Sequence, residues 1–170
     1  MANYQISADV LPALANFSLP EQLGFGEVKV PIMYRADFVD GAWQPATLTP
    51  YGKIELDPAA KVLHYAQEIF EGTKAYRRAD GKINLFRPWE NAKRFNNSAR
   101  RMAMQMVDVE DHLAAIISLV TEEQEWVPAA PGSALYIRPT MIATDTALGV
   151  HASANYLHYI IVGPVGAYFP

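Results

Sequence analysis

The 170-residue sequence contains no cysteine, and that absence removes disulfides, thiolate nucleophiles and sulfur-ligated metal sites together. A reducing cytoplasm is the expected compartment. Basic clustering is also scarce. The 14 Lys and Arg face 18 Asp and Glu for a net charge of -4, and only Arg77-Arg78 and Arg100-Arg101 gather positive charge without acids nearby. Nucleic acid is therefore not an expected partner. Long apolar runs are missing too. Val10 to Phe17 is short, broken by Pro12 and preceded by Asp9 instead of a basic region, so neither a secretory signal nor a membrane span is supported. There is no internal repeat and no low-complexity segment. His64, His112, His151 and His158 show no metal-ligand spacing, and no phosphate loop or Ser-His-Asp order occurs.

What is present belongs to an ordered globular chain. Hydrophobic residues make up 51% and charged residues 19%, with three Trp, nine Tyr and seven Phe. One domain is the default, since a chain near this length buries roughly 68 to 70% of its unfolded surface. The charge distribution is uneven, however. Asp145 is the last charged residue, and Thr146 to Pro170 is apolar or neutral. His151, Ser153, Asn155, His158, Gly163 and Pro164 interrupt this tail too often for a membrane span. Its apolar surface is expected to meet another domain or subunit, which places a domain border at Pro170.

Residues 1–24, broken by Pro12 and Pro20, read as an irregular arm. Alternation then runs from Glu27 to Phe38, turns at Asp40-Gly41 and resumes at Trp43, a two-residue hairpin pattern. A second hairpin spans residues 73–86 around Asp80-Gly81. Pro88 opens a helix to about Met104, with Phe95, Ser98, Ala99, Met102 and Met106 as its apolar stripe. Asp108 caps a second helix, with Glu110 and Asp111 in its first turn and Leu113, Ile116, Ile117, Val120 and Glu123 marking its faces. Two β-rich segments, 134–144 and 155–162, close the chain. The expected fold is α+β: an antiparallel-rich sheet with two helices packed on it.

Three groups of residues invite chemistry. Arg87 and Arg94 flank a helix start, where a phosphate is favoured, although spacing alone favours an Arg94–Glu90 pair on a solvated face. Arg138 lies among apolar residues in LYIRP, and alternation puts Tyr136 on its face. The two residues then either grip a carboxylate together, or Arg138 keeps its head in water on an edge strand, as Pro139 suggests. His64-Tyr65 and Phe70-Glu71-Gly72 bring a phenol and an aromatic ring ahead of a glycine, a pattern that also suits core packing.

Taken in order, HYAQEIFEGTKAYR (64–77), INLFRPWENAKRFNNSARRM (83–102), WVP (126–128), LYIRP (135–139), LGV (148–150) and GPVGAYFP (163–170) resemble the branched-chain amino-acid aminotransferases. The resemblance runs from Phe25 to Pro170. It implies the small N-terminal domain, 25–170, of a fold-type IV pyridoxal phosphate enzyme, with a large cofactor-anchoring domain expected after 170. The family's Schiff-base lysine and its partner for the pyridine nitrogen would lie there. Lys74 matches a family lysine with a different position, so no catalytic residue is assigned to this chain, and alone it is expected to be inactive.

The resemblance also implies site residues. Arg94 matches the arginine that contacts the cofactor phosphate. Phe25, Tyr65, Phe70 and Tyr168 match side chains lining the substrate pocket, while Tyr136, Arg138 and Val150 match positions delivered to the neighbouring subunit of a homodimer. Branched-chain amino acids and 2-oxoglutarate or glutamate are the implied partners, and pyridoxal 5'-phosphate is the implied cofactor. Thr73, and Gln105-Met106 after the first long helix, depart from the family pattern and bear only on local packing. Competing expectations are a D-amino-acid aminotransferase or aminodeoxychorismate lyase of the same fold type, and a stand-alone, non-catalytic dimerisation or binding module.

Overall fold

The computed structural model describes residues 4–167. In chain order the elements are β1 (Tyr4–Ile6), α1 (Val10–Ala15), β2 (Ile32–Val39), β3 (Ala42–Trp43), β4 (Ala46–Pro50), α2 (Lys61–Tyr65), β5 (Glu68–Phe70) and β6 (Thr73–Arg77). There follow β7 (Ile83–Leu85), α3 (Pro88–Arg101), α4 (Val109–Glu122), β8 (Ala134–Ala143) and β9 (Tyr156–Val165). A single mixed sheet of nine strands forms, ordered β1-β4-β2-β9-β8-β6-β7, with β3 beside β2 and β5 beside β8. Among the described residues only β1 and β4 run parallel to one another. The α+β, antiparallel-rich architecture expected from sequence is therefore the one observed, with two short helices added to the two long ones.

Strands β8 and β9 pair over ten residues, from Ala134 opposite Val165 to Ala143 opposite Tyr156. Both are rich in Ile, Val and Tyr, which fit a pleated, half-buried surface. Pro139 does not force β8 to an edge. In an antiparallel strand a residue's N–H and C=O point to the same side, and the Pro139 carbonyl accepts from the Glu71 amide at 2.9 Å. The missing N–H thus falls where β5 gives way to β6, and the ladder to β9 is intact.

Alternation along β8 sends Leu135 and Ile137 to one face, where they are fully buried with Ala115, Ile116 and Leu119 of α4. Tyr136 and Arg138 go to the other. Helix α3 buries Pro88, Ala92, Phe95 and Ala99, a stripe shifted one turn earlier than the sequence suggested. It ends at Arg101, and the chain turns at Ala103 with φ 51°, which leaves Met102 and Met106 largely exposed. Phe95 is fully buried, worth about 2 to 3 kcal/mol relative to exposure. Asp108 caps α4 as expected, its side chain accepting from the Glu110 and Asp111 amides at 2.9 and 3.3 Å.

The His112 and His158 rings stack inside the core at 5.2 Å and 19°, with Phe95 4.9 Å from His112. Burial pushes the His112 pKa down to about 4, and burial together with its neighbour holds His158 well below the ordinary value. Both are neutral near pH 7. Glu123 is buried beside the Ile32 amide, and burial lifts its pKa well above the usual range.

Residues 4–15, read from sequence as irregular, contain regular elements. Gln5 lies opposite Thr47 in the parallel pairing of β1 with β4, and Val10 of α1 is fully buried in the main core. The Asp40-Gly41 turn is the expected one, both residues having positive φ (53° and 78°) between paired Val39 and Ala42. Strand β2 starts later than the alternation suggested. Residues 24–31 instead cross the end of β9, where the Val30 amide donates to Val162 at 3.0 Å and the Gly166 amide to Gly24 at 3.1 Å. Gly163 permits the crossing, because a Cβ there would collide with the Val28 carbonyl. No helix among the described residues is long and apolar enough to cross a membrane.

Candidate substrate and phosphate site

The sheet face turned away from α4 carries a cation among aromatic rings. Tyr136 lies opposite Gly163 and Lys74, Arg138 opposite Ile161, and Thr140 opposite Phe70 and Tyr159. Arg138 Nε and Nη2 donate to the Tyr136 hydroxyl at 3.2 and 2.7 Å. Its guanidinium carbon stands 4.5 Å from the Phe70 ring centroid and 5.2 Å from that of Tyr136, within cation–π range. No carboxylate among the described residues forms an ion pair with it. The crossing segment 24–31 lays Phe25 on Tyr136 at 5.2 Å. Together Phe25, Val28, Tyr136, Arg138, Ile161 and Gly163 line a hollow of about 150 Å³.

Gly72 fits beneath this cluster. A Cβ at that position would overlap the Tyr136 hydroxyl, so any side chain there would have to displace the phenol. Immediately before it, Glu71 is buried and its carboxylate is the hub of a polar network. Arg94 donates to it from Nε and from Nη2, the latter at 2.8 Å. Asn91 Nδ2 donates at 2.9 Å, and the Gly72 amide at 3.2 Å. Burial pushes the Glu71 pKa up, but the hydrogen bonds from Arg94, Asn91 and Gly72 outweigh it and hold the acid below its ordinary value.

Arg94 therefore does not pair with Glu90; Lys93 does, at 3.2 Å. Helical spacing offered Glu90 to both residues, but Glu71 arrives from the sheet and takes Arg94 in a two-bond fork. The Arg94 side chain remains 67% exposed, leaving guanidinium N–H groups open to an anion from outside.

The other sequence-derived site residues divide. Phe25, Phe70, Tyr136 and Arg138 meet directly, and Arg94 is joined to them through Glu71 and Gly72. Tyr65 and Val150 share a second hollow of about 340 Å³ with Gln67, Met102, Ala103, His151 and Ala152, the Tyr65 hydroxyl donating to the Leu148 carbonyl. Tyr168 lies outside the described residues. Sequence reasoning missed Glu71, Asn91 and Lys61 as organising groups. For Glu71 a signal existed, since an acid flanked by Phe70 and Gly72 at a strand end is placed to receive a cation from a following helix.

The fold that carries this cluster is shared with aminotransferases of fold type IV. The T.th. branched-chain amino acid aminotransferase with pyridoxamine 5'-phosphate superposes with a TM-score of 0.60 at 28% identity, covering 79% of this chain and 41% of that one. The same enzyme complexed with N-(5'-phosphopyridoxyl)-L-glutamate gives 0.57 at 26%, covering 75% and 40%.

By sequence the chain is a homologue of the branched-chain-amino-acid aminotransferases. It is 46% identical over 151 residues to branched-chain-amino-acid transaminase 1 of Bacillus subtilis, which is 88% of this chain and 42% of that protein. It is 45% identical over 170 residues to the Mycolicibacterium smegmatis enzyme, 98% of this chain and 46% of that protein. The chain thus spans under half the length of these curated relatives. No protein-family model matches it.

Proposed function

We propose that the intact protein transfers the amino group of leucine, isoleucine or valine to 2-oxoglutarate, and that this chain forms its substrate-side domain. The observation that carries the reading is Arg138, an unneutralised guanidinium held by the Tyr136 hydroxyl against aromatic rings. One pocket must accept a branched aliphatic side chain in one half-reaction and the side-chain carboxylate of glutamate in the other. Phe25, Phe70 and Ile161 offer apolar wall, and Arg138 offers a charge-assisted hydrogen bond to the carboxylate. The relatives support the same assignment by name.

Pyridoxal phosphate fits the residues present on one side only. The open N–H groups of Arg94 suit its phosphate, and the Glu71 fork fixes their direction. When bound, the cofactor supplies the aldehyde that carries the amino group and the ring that accepts electrons from the α-carbon. This chain's residues bind and orient. The hollow of about 150 Å³ is smaller than the roughly 300 Å³ at which ligand pockets usually begin. Its completion is assigned to the large domain and to a second subunit. Tyr136 and Arg138 stay with Phe25 in this chain's own hollow, and of the three residues the resemblance gave to a neighbour only the exposed Val150 is left to face the neighbouring site in a homodimer.

The test is an amino-transfer assay of the intact protein with L-leucine and 2-oxoglutarate. Turnover of L-leucine, with none of D-alanine, supports the reading; the reverse assigns the protein to a D-amino-acid aminotransferase. With the 170-residue chain alone, pyridoxal phosphate followed by borohydride is expected to leave no stoichiometric adduct on Lys74. Such an adduct would contradict the assignment of the anchoring lysine to the large domain.

A further inference from the structure

The connection between β8 and β9 is fastened to α2 through one buried lysine. Lys61 is 1% exposed, and its Nζ donates to the Gly149 carbonyl at 2.8 Å and the His151 carbonyl at 2.9 Å. Its own amide donates to the Asp145 carbonyl at 3.0 Å. One turn on, the Tyr65 hydroxyl donates to Leu148, and the Lys61 ammonium lies 5.9 Å from the Tyr65 ring. No carboxylate among the described residues forms an ion pair with Lys61. Two carbonyl dipoles and a ring face meet its charge.

Burying an ammonium is expensive unless acceptors surround it, so packing alone does not account for a lysine here. What it holds does. Thr146 to Ala154 contains no charged residue and is mostly small, which leaves the segment without side chains to build a core of its own. Its tip nevertheless stands outward, with Leu148 65% and Val150 87% exposed. A methionine in place of Lys61 would fill comparable volume while leaving both carbonyls without their donor.

We propose that Lys61 is a positioning residue whose buried ammonium fixes the 145–152 loop and thereby sets where Leu148 and Val150 project. The consequence for catalysis rests on the proposed function, which gives Val150 a place at a neighbouring substrate site; the structural claim does not.

The test uses the intact protein as wild type, Lys61→Met and Lys61→Gln, the last restoring one neutral donor. Hydrogen exchange in the 145–152 peptide is expected to quicken about tenfold or more in Lys61→Met and less in Lys61→Gln, with β8 and β9 peptides within about twofold of wild type. Unchanged loop exchange, or an equal rise across the strands, overturns the proposal. In steady-state assays, KM for L-leucine is expected to rise about tenfold in Lys61→Met, with kcat within about threefold and Lys61→Gln in between. An unchanged KM overturns the catalytic consequence.

Should Lys61→Met fail to fold, the wild-type protein decides through amine acetylation under native conditions. Lys61 is expected to react at least about tenfold more slowly than exposed Lys53 and Lys93, because labelling requires local opening; equal rates overturn the proposal. If wild type does not turn over branched-chain amino acids, the proposed function fails, while exchange and acetylation still decide the role of Lys61.

Discussion

The Tyr136 hydroxyl occupies the space that a Cβ on Gly72 would need. This contact joins the two halves of the candidate site, because Gly72 follows the Glu71 that holds Arg94, and Tyr136 receives both hydrogen bonds from Arg138. Gly72→Ala is expected to displace the phenol and cost about 1 to 3 kcal/mol of stability, the usual range for overpacking a filled site. Urea unfolding of wild type and variant measures the loss. A variant of unchanged stability would show that the ring can move freely, and that Arg138 is not held in place through it.

Arg138 itself is expected to discriminate between substrates. Replacing it with methionine keeps apolar contact with Phe70 and removes the charged donor. A hydrogen bond to a charged group is worth about 1.5 to 3 kcal/mol, so KM for glutamate in the intact protein should rise about 10- to 150-fold. KM for L-leucine should change far less, since its side chain makes no such bond. Equal changes for the two substrates would remove Arg138 from carboxylate recognition.

Much of the fold is legible in the amino-acid sequence alone. The β-branched runs of β8 and β9, the Asp108 cap and the Asp40-Gly41 turn are local signals, and local chemistry decides them. Alternation likewise places Tyr136 and Arg138 on one face. What the sequence conceals is long-range. Helical spacing assigns Arg94 to Glu90, and only the fold brings Glu71 across from the sheet to take it. Pro139 reads as an edge residue until the break between β5 and β6 supplies a place where no amide is needed. The burial of Lys61 depends on a loop 84 to 90 residues away, Asp145 to His151, which no local window could link to it. Val10 reads as part of an irregular arm because its core partners lie in other elements.

The stacked histidines make stability depend on pH. Unfolded histidine takes up a proton near 6.5, whereas folded His112 does so only near 4. Between these values the unfolded state binds more protons, so stability is expected to fall as pH drops from about 6.5 towards 4, by up to about 1.4 kcal/mol per pH unit for each histidine. His158 follows the same sign. Urea titrations of wild type and His112→Phe across this window check it, the variant being expected to show about half the slope.

Arg94 and Glu71 add a second, more acidic dependence with a separate origin. Glu71 titrates below its ordinary 4.5 in the folded protein, so the stability it contributes is present above that value and is lost as pH falls through the lower folded value. Arg94→Met removes the largest of the hydrogen-bond contributions that lower it. The stability gap between wild type and variant is therefore expected to be widest above pH 4.5 and to close in more acid solution. Because Arg94 is two-thirds exposed, solvent screening keeps that gap modest, about 1 kcal/mol or less. Cofactor binding should respond far more strongly. Loss of a charge-assisted contact to the phosphate is expected to weaken pyridoxal phosphate binding to the intact protein by roughly 10- to 100-fold at neutral pH. Equilibrium dialysis measures this directly. A variant that binds the cofactor as wild type does, while still showing the narrowed pH dependence, would confine Arg94 to holding Glu71.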